Sequence, residues 1–167
     1  MTIVYNSKTG FTQQYAQMLA KAQGLRALSL EQAQQELGQG ASVLFMGWVM
    51  AGHISGVDQA VHRWDVKCAV GVGMSPAGKE VLSTLSKANF VPNAPIFYLQ
   101  GGWAPNKVGW FQRRMVGMVT RARRKQLQAK SNRTQQEQEQ LELLVRGGSR
   151  VEFRSLKPIQ QWLEQHG

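Results

Sequence analysis

Three short apolar runs constrain this chain more than any other feature. Residues 42–47 (SVLFMG), 67–73 (KCAVGVG) and 94–100 (APIFYLQ) are nearly continuous in apolar side chains rather than alternating. The first reads as a strand buried on both faces and the second as another buried strand, the condition of a parallel sheet covered by helices on either side, and the third as a fifth strand. Residues 2–5, ending at Asn6, and residues 26–30 are two shorter strand-like runs. Between the runs, apolar residues recur at helical spacing. Phe11, Tyr15, Met18, Leu19 and Ala22 predict a helix over 11–23, stopped by Gly24. Residues 31–37, 56–64 and 76–88 read as further helices, the last with Pro76 suited to its first turn. Strands alternating with helices predict an α/β fold with a doubly wound, five-stranded parallel sheet.

After Gly101 the rhythm changes. Residues 101–106 read as a loop, 108–125 as a helix, 131–134 as a break, and 135–145 as a helix closed by Gly147 and Gly148. An extended segment over 150–153 and a last helix from a Ser155 cap to Gln165 follow, with Ile159, Trp162 and Leu163 on one side. The expected organisation is a single domain, 1–167. It comprises a five-strand core over 1–100, a basic loop and helical insertion over 101–150, and an extended segment with the final helix over 151–167.

Charge separates the same two regions. Residues 1–100 hold seven Lys and Arg against five Asp and Glu, whereas 101–167 hold 13 against five. Nine basic residues and no acidic one lie from Lys107 to Arg133. A net charge of +10 makes an anionic neighbour the expected partner. On a helical wheel, Phe111, Met115, Met118, Val119 and Ala122 share one face, while Arg113, Arg121, Arg123 and Arg124 occupy the rest. The expectation for that apolar face is packing on the sheet or on the helix over 135–145. The alternative is an anionic membrane surface, with Trp103 and Trp110 at headgroup level. Nucleic acid ranks last, because the basic face lacks interleaved aromatics.

The single cysteine, Cys68, excludes an internal disulfide and any multi-cysteine metal site, and fits a reducing compartment. The N-terminus has no signal-peptide pattern. The longest apolar stretch, 43–51, falls short of the roughly 20 residues a spanning helix needs. The expected location is the cytoplasm, free or peripheral on the inner membrane face.

The strongest chemical signal is Ser7-Lys8-Thr9-Gly10-Phe11-Thr12, between the first strand and the first helix. Backbone N–H groups converge there at the positive end of the helix dipole, and hydroxyls add donors. Two readings stand: a phosphate-binding turn, and a Ser/Thr-rich helix cap. It is not a Walker A loop, because no Gly-Lys-Ser/Thr follows. Gly71-Val72-Gly73 is not a dinucleotide fingerprint, since Pro76 takes the third glycine position and the run follows the fourth strand. His53, His62 and His166 show no metal-ligand spacing, and Cys68 reads as a core thiol.

The SKTGFT turn resembles the phosphate loop of the flavodoxins, hydroxyl–x–Thr–Gly–x–Thr. Gly47-Trp48-Val49-Met50-Ala51-Gly52-His53 is similar in position to their second flavin loop, and Gly71 to Pro76 to their third. The resemblance covers about the first 100 residues. It implies strand order 2-1-3-4-5 and bound FMN at the switch point between the first and third strands. It also implies a phosphate held by Ser7, Lys8, Thr9, Gly10, Phe11 and Thr12. The flavin ring would lie between Trp48, Val49, Met50, Ala51 and Gly52 on one side and Gly73, Met74 and Ser75 on the other. Met50 or Ala51 takes the family's tyrosine position, leaving Trp48 as the stacking candidate. No catalytic side chain or metal is implied, because the flavin carries the electrons.

A looser resemblance, in the basic segment and in Val151-Glu152-Phe153-Arg154-Ser155 before the last helix, is to the bacterial menaquinone-dependent protoporphyrinogen dehydrogenases. It implies a flavin-dependent oxidoreductase with a porphyrin- or quinone-like substrate, or an electron carrier with a protein redox partner. The alternative from another class is the same fold without FMN, acting as a membrane-surface or partner-binding module.

Overall fold

A computed structural model describes all residues, 1–167. The first hundred residues form β1 (Thr2–Asn6), α1 (Phe11–Gln23), β2 (Ala27–Ser29), α2 (Leu30–Glu36), β3 (Ser42–Met50), β4 (His53–Ile54), α3 (Val57–Arg63), β5 (Asp65–Gly73), α4 (Lys79–Ala88) and β6 (Ile96–Gln100). The remainder forms β7 (Gly102–Trp103), α5 (Trp110–Ala129), α6 (Gln135–Arg146), β8 (Gly148–Ser149) and α7 (Lys157–His166).

Five strands make a parallel sheet in the order β2-β1-β3-β5-β6, with the short β4 folded back antiparallel on β3. Counting only the five expected strands, this is the order 2-1-3-4-5. The apolar runs of β3 and β5 are buried on both faces, because successive side chains point to opposite faces, whereas β6 is the edge strand and is mostly half-buried. Ile3, Leu44, Met46, Cys68, Val70 and Val72 meet α1 and α7 through Tyr15, Leu19, Ile159 and Leu163. Val4, Val43, Phe45, Val66 and Ala69 meet α2, α3 and α4 through Ala33, Val57, Ala60 and Leu85. Cys68 lies in the first of these layers, and burial pushes its thiol up in pKa, so it is a packing group.

Several boundaries differ from the sequence reading. β3 runs three residues past Gly47, because Trp48, Val49 and Met50 continue as a strand that pairs with β4. α4 starts at Lys79 rather than Pro76, after Gly78. The expected loop at 101–106 contains β7, which pairs with β8 (Gly148–Ser149), so the paired residues lie just before the expected extended segment, in which Glu152 is extended and Phe153 is not. Phe153–Leu156 is a 3-10 turn, and Ser155 makes no cap to α7. The break before α6 is a capping box, in which Thr134 and Glu137 each satisfy the other's backbone N–H.

The favoured packing of the basic helix is also corrected. α5 packs on α6 through Leu127, which meets Leu141 and Leu144. Phe111, Met118 and Val119, from the face expected to pack, are 68%, 67% and 78% exposed. The contact with α6 uses the opposite side of the helix.

Tyr15 ties the C-terminal segment to the sheet. Its buried hydroxyl lies 2.8 Å from the Gln100 carbonyl and 3.3 Å from that of Arg150, and accepts from the Glu152 N–H at 3.3 Å. Burial raises its pKa, so it remains a donor at neutral pH. Tyr15→Phe leaves these backbone groups without that partner and is expected to cost about 1–2 kcal/mol. A lower urea midpoint at unchanged slope is the check.

Candidate functional site

The sheet brings the ends of β1, β3 and β5 side by side. Asn6 is in register with Gly47, and Trp48 with Val72, so residues 7–12, 48–52 and 73–75 all emerge at one carboxyl edge. Asn6 fixes this edge, donating to the carbonyl and hydroxyl oxygens of Ser55 at 3.3 and 3.1 Å.

The turn after β1 is built around a left-handed Gly10, with φ of 97°, at the N-cap of α1. Ser7 Oγ accepts from the Gly10 N–H at 3.1 Å and closes the turn. The backbone N–H groups of Lys8, Thr9, Phe11, Thr12 and Gln13 have no acceptor in the protein. An uncapped first turn leaves such donors for water or an anion. No acidic residue lies in that turn. Lys107 reaches it from beyond β6, donating from Nζ to the Thr9 carbonyl at 3.4 Å. Lys8 Nζ stands 5.3 Å from the centre of the Trp48 ring, which joins the first segment to the second. Two residues of the turn serve packing: Thr12 is 1% exposed, and the Phe11 ring lies against Gly101 and Gly102.

The second segment is a hairpin rather than an open loop. Ala51 and Gly52 form its two-residue tip, both with positive φ (49° and 80°), as type I′ turns require. The tip leans on α4, where a Cβ on Gly52 would stand 3.5 Å from Thr84 and 3.6 Å from Ala88. Asn89, at the end of α4, holds it in place. Its amide donates to the carbonyls of Gly52 (2.8 Å) and Leu85 (2.7 Å), and its oxygen accepts from the Ile54 N–H (2.8 Å). The Gly52 carbonyl is therefore engaged by the protein. Val49 packs over Gly71, and Met50 pairs with His53.

The third segment is tied to β6 and to the helical hairpin. The Tyr98 hydroxyl donates to the Ser75 carbonyl at 2.8 Å, and Gln100 Nε2 to that of Met74 at 3.0 Å. The same tyrosine explains Gly73, since a Cβ there would stand 2.7 Å from the Tyr98 oxygen. The Met74 side chain packs with Leu127, Leu141 and Leu144 of α5 and α6. Together with Lys107, this puts the basic segment at the carboxyl edge of the sheet.

Asn89, Tyr98, Gln100 and Lys107 carry no local sequence signal for these roles, because each partner lies 23 to 98 positions away. A cleft of about 450 Å³ adjoins the turn on its β2 side, with Asn6, Ser7, Gln13, Ser29 and Glu31 in its walls. Of the expected site residues it takes only Ser7. No group of His, Cys, Asp or Glu is arranged to hold a metal. No family model matches the chain, and no curated protein or solved structure gives a significant match.

Proposed function

We propose that this is a flavodoxin-like redox protein that holds FMN by its phosphate on the turn at 7–12. One observation carries the reading: the backbone N–H groups of the turn and of the start of α1 have no acceptor in the protein, Lys107 reaches the same turn, and the first turn of the helix holds no acidic residue. That donor set suits a dianionic phosphate. The sheet order supports the reading, because the turn lies at the β1/β3 switch point where such sheets take ligands.

Ser7 would keep Gly10 in its turn, Thr9 would add a hydroxyl, and Trp48, whose ring lies 5.3 Å from Lys8 Nζ, is the stacking candidate for a flat ring. Gly73, Met74 and Ser75 would border the ring from β5, with Tyr98 and Gln100 fixing their carbonyls. FMN, when bound, supplies the electron-accepting chemistry; the chain's own residues bind it, orient it and limit its contact with water. A porphyrin- or quinone-like compound is the proposed class of organic substrate, resting on the looser resemblance.

A second reading, the same fold without FMN, is favoured by the second and third segments, since Asn89 already occupies the Gly52 carbonyl and the α5–α6 pair engages Met74. Reconstitution separates the two. Protein incubated with FMN and desalted should retain one flavin per chain, visible as a yellow, dithionite-bleachable band. Retention of none supports the module.

A further inference from the structure

We infer that the outward face of α5 is a docking surface for an anionic lipid bilayer, on which the chain lies without crossing it. The inference does not depend on a bound flavin. α5 has two distinct sides. On the inner side Val116, Thr120 and Arg124 are half-buried and Leu127 is buried against α6. On the outer side, Phe111, Met115, Met118 and Ala122 fall within an arc of about 60° at 100° per residue, with Val119 just beyond. Trp110 precedes them, 70% exposed and edge-to-face with Phe111 at 6.2 Å. Met115 is half-buried, but Trp110, Phe111, Met118 and Val119 are exposed large hydrophobics, and contiguous apolar surface of that kind marks an interaction site.

Charge selects the occupant. Arg114, Arg121 and Lys125 run along one edge of the apolar strip and Arg123 along the other, and no acidic residue lies between Lys107 and Arg133. A second copy of the same helix would bring like charges together. A nucleic acid would meet the cations but press phosphates against Phe111, Met118 and Val119. A bilayer surface satisfies both: the apolar side chains enter the acyl boundary, and the long basic side chains reach the lipid phosphates. Aromatic side chains such as Trp110 are favoured at that depth. No helix in the chain is long and apolar enough to cross a membrane, so attachment would be to one leaflet.

The test is sedimentation of the full chain with vesicles of phosphatidylcholine containing phosphatidylglycerol, and with phosphatidylcholine alone. Retention is expected on the anionic vesicles only, falling as salt is added, with a blue shift of tryptophan emission that Trp110→Phe removes. Phe111→Asp with Met118→Asp changes only exposed positions, so its melting curve should match the parent while vesicle binding is lost. Replacing Arg114, Arg121 and Lys125 by Gln should weaken binding about 100-fold. Equal retention on both vesicle types, none on either, or unchanged binding by the double variant would overturn the inference. Concentration-dependent dimerisation, abolished by the double variant without any vesicle binding, would assign the face to a second copy instead.

Discussion

Aspartate in place of Thr9 is expected to abolish FMN binding while leaving the unliganded fold at least as stable. The two effects share one cause. The N–H groups of Lys8, Thr9, Phe11, Thr12 and Gln13 have no acceptor, and Lys107 Nζ lies 3.4 Å from the Thr9 carbonyl. A carboxylate just outside the start of α1 offers those donors an anion of their own, a gain of about 0.3–1 kcal/mol from the helix dipole. The same carboxylate repels a phosphate. Two unit charges about 4 Å apart near a protein surface oppose one another by about 4 kcal/mol, roughly three orders of magnitude in affinity. Quenching of FMN fluorescence on titration measures the loss, and a thermal melt of the unliganded protein measures the gain. Thr9→Asp protein that binds FMN like the parent would place the phosphate elsewhere.

Asn89→Ala should be the most damaging single change at the site edge, at about 3 kcal/mol. Asn89 is 6% exposed and makes three hydrogen bonds, two of them to the hairpin that follows β3. Its truncation leaves the Ile54 N–H and the carbonyls of Gly52 and Leu85 short of a partner where water has little access. Each such group costs about 1–3 kcal/mol when left unsatisfied, offset in part by relaxation of the exposed tip. Hydrogen exchange at the Ile54 amide should accelerate along with the fall in stability. Asn89→Asp keeps the acceptor for Ile54 but turns a charged oxygen toward two carbonyls, so it should not rescue the fold. A loss below about 1 kcal/mol for Asn89→Ala would mean that water replaces the side chain.

The core of this fold was legible because both-face burial leaves a signature in the strands themselves. Residues 43–47 and 68–72 are buried on both faces, as that signature requires, whereas 94–100 forms the half-buried edge strand, and the helices between the strands follow from spacing. What escaped were interactions between distant positions. Trp48, Val49 and Met50 look like a loop after a glycine; they are a strand because β4 is present to pair with them and Asn89 to hold the turn. The outer face of α5 was misassigned for a related reason. The helix has apolar residues on two sides, and a wheel shows the stripes without showing that Leu127, rather than Phe111 or Met118, meets α6. The turn at 7–12 was legible as a cluster of donors, whereas the lysine reaching it from 98 positions away was not.

The proposal that the turn at 7–12 holds a flavin by its phosphate is tested most directly by comparing FMN with riboflavin, which has the same ring and no phosphate. Calorimetric titration of the unliganded protein should give one FMN site per chain, with riboflavin weaker by at least about 100-fold. Each hydrogen bond to a charged acceptor contributes about 1.5–3 kcal/mol, and riboflavin forgoes all of those made by the phosphate. Equal affinity for the two flavins, or no heat with either, would contradict the assignment of the turn as a phosphate site.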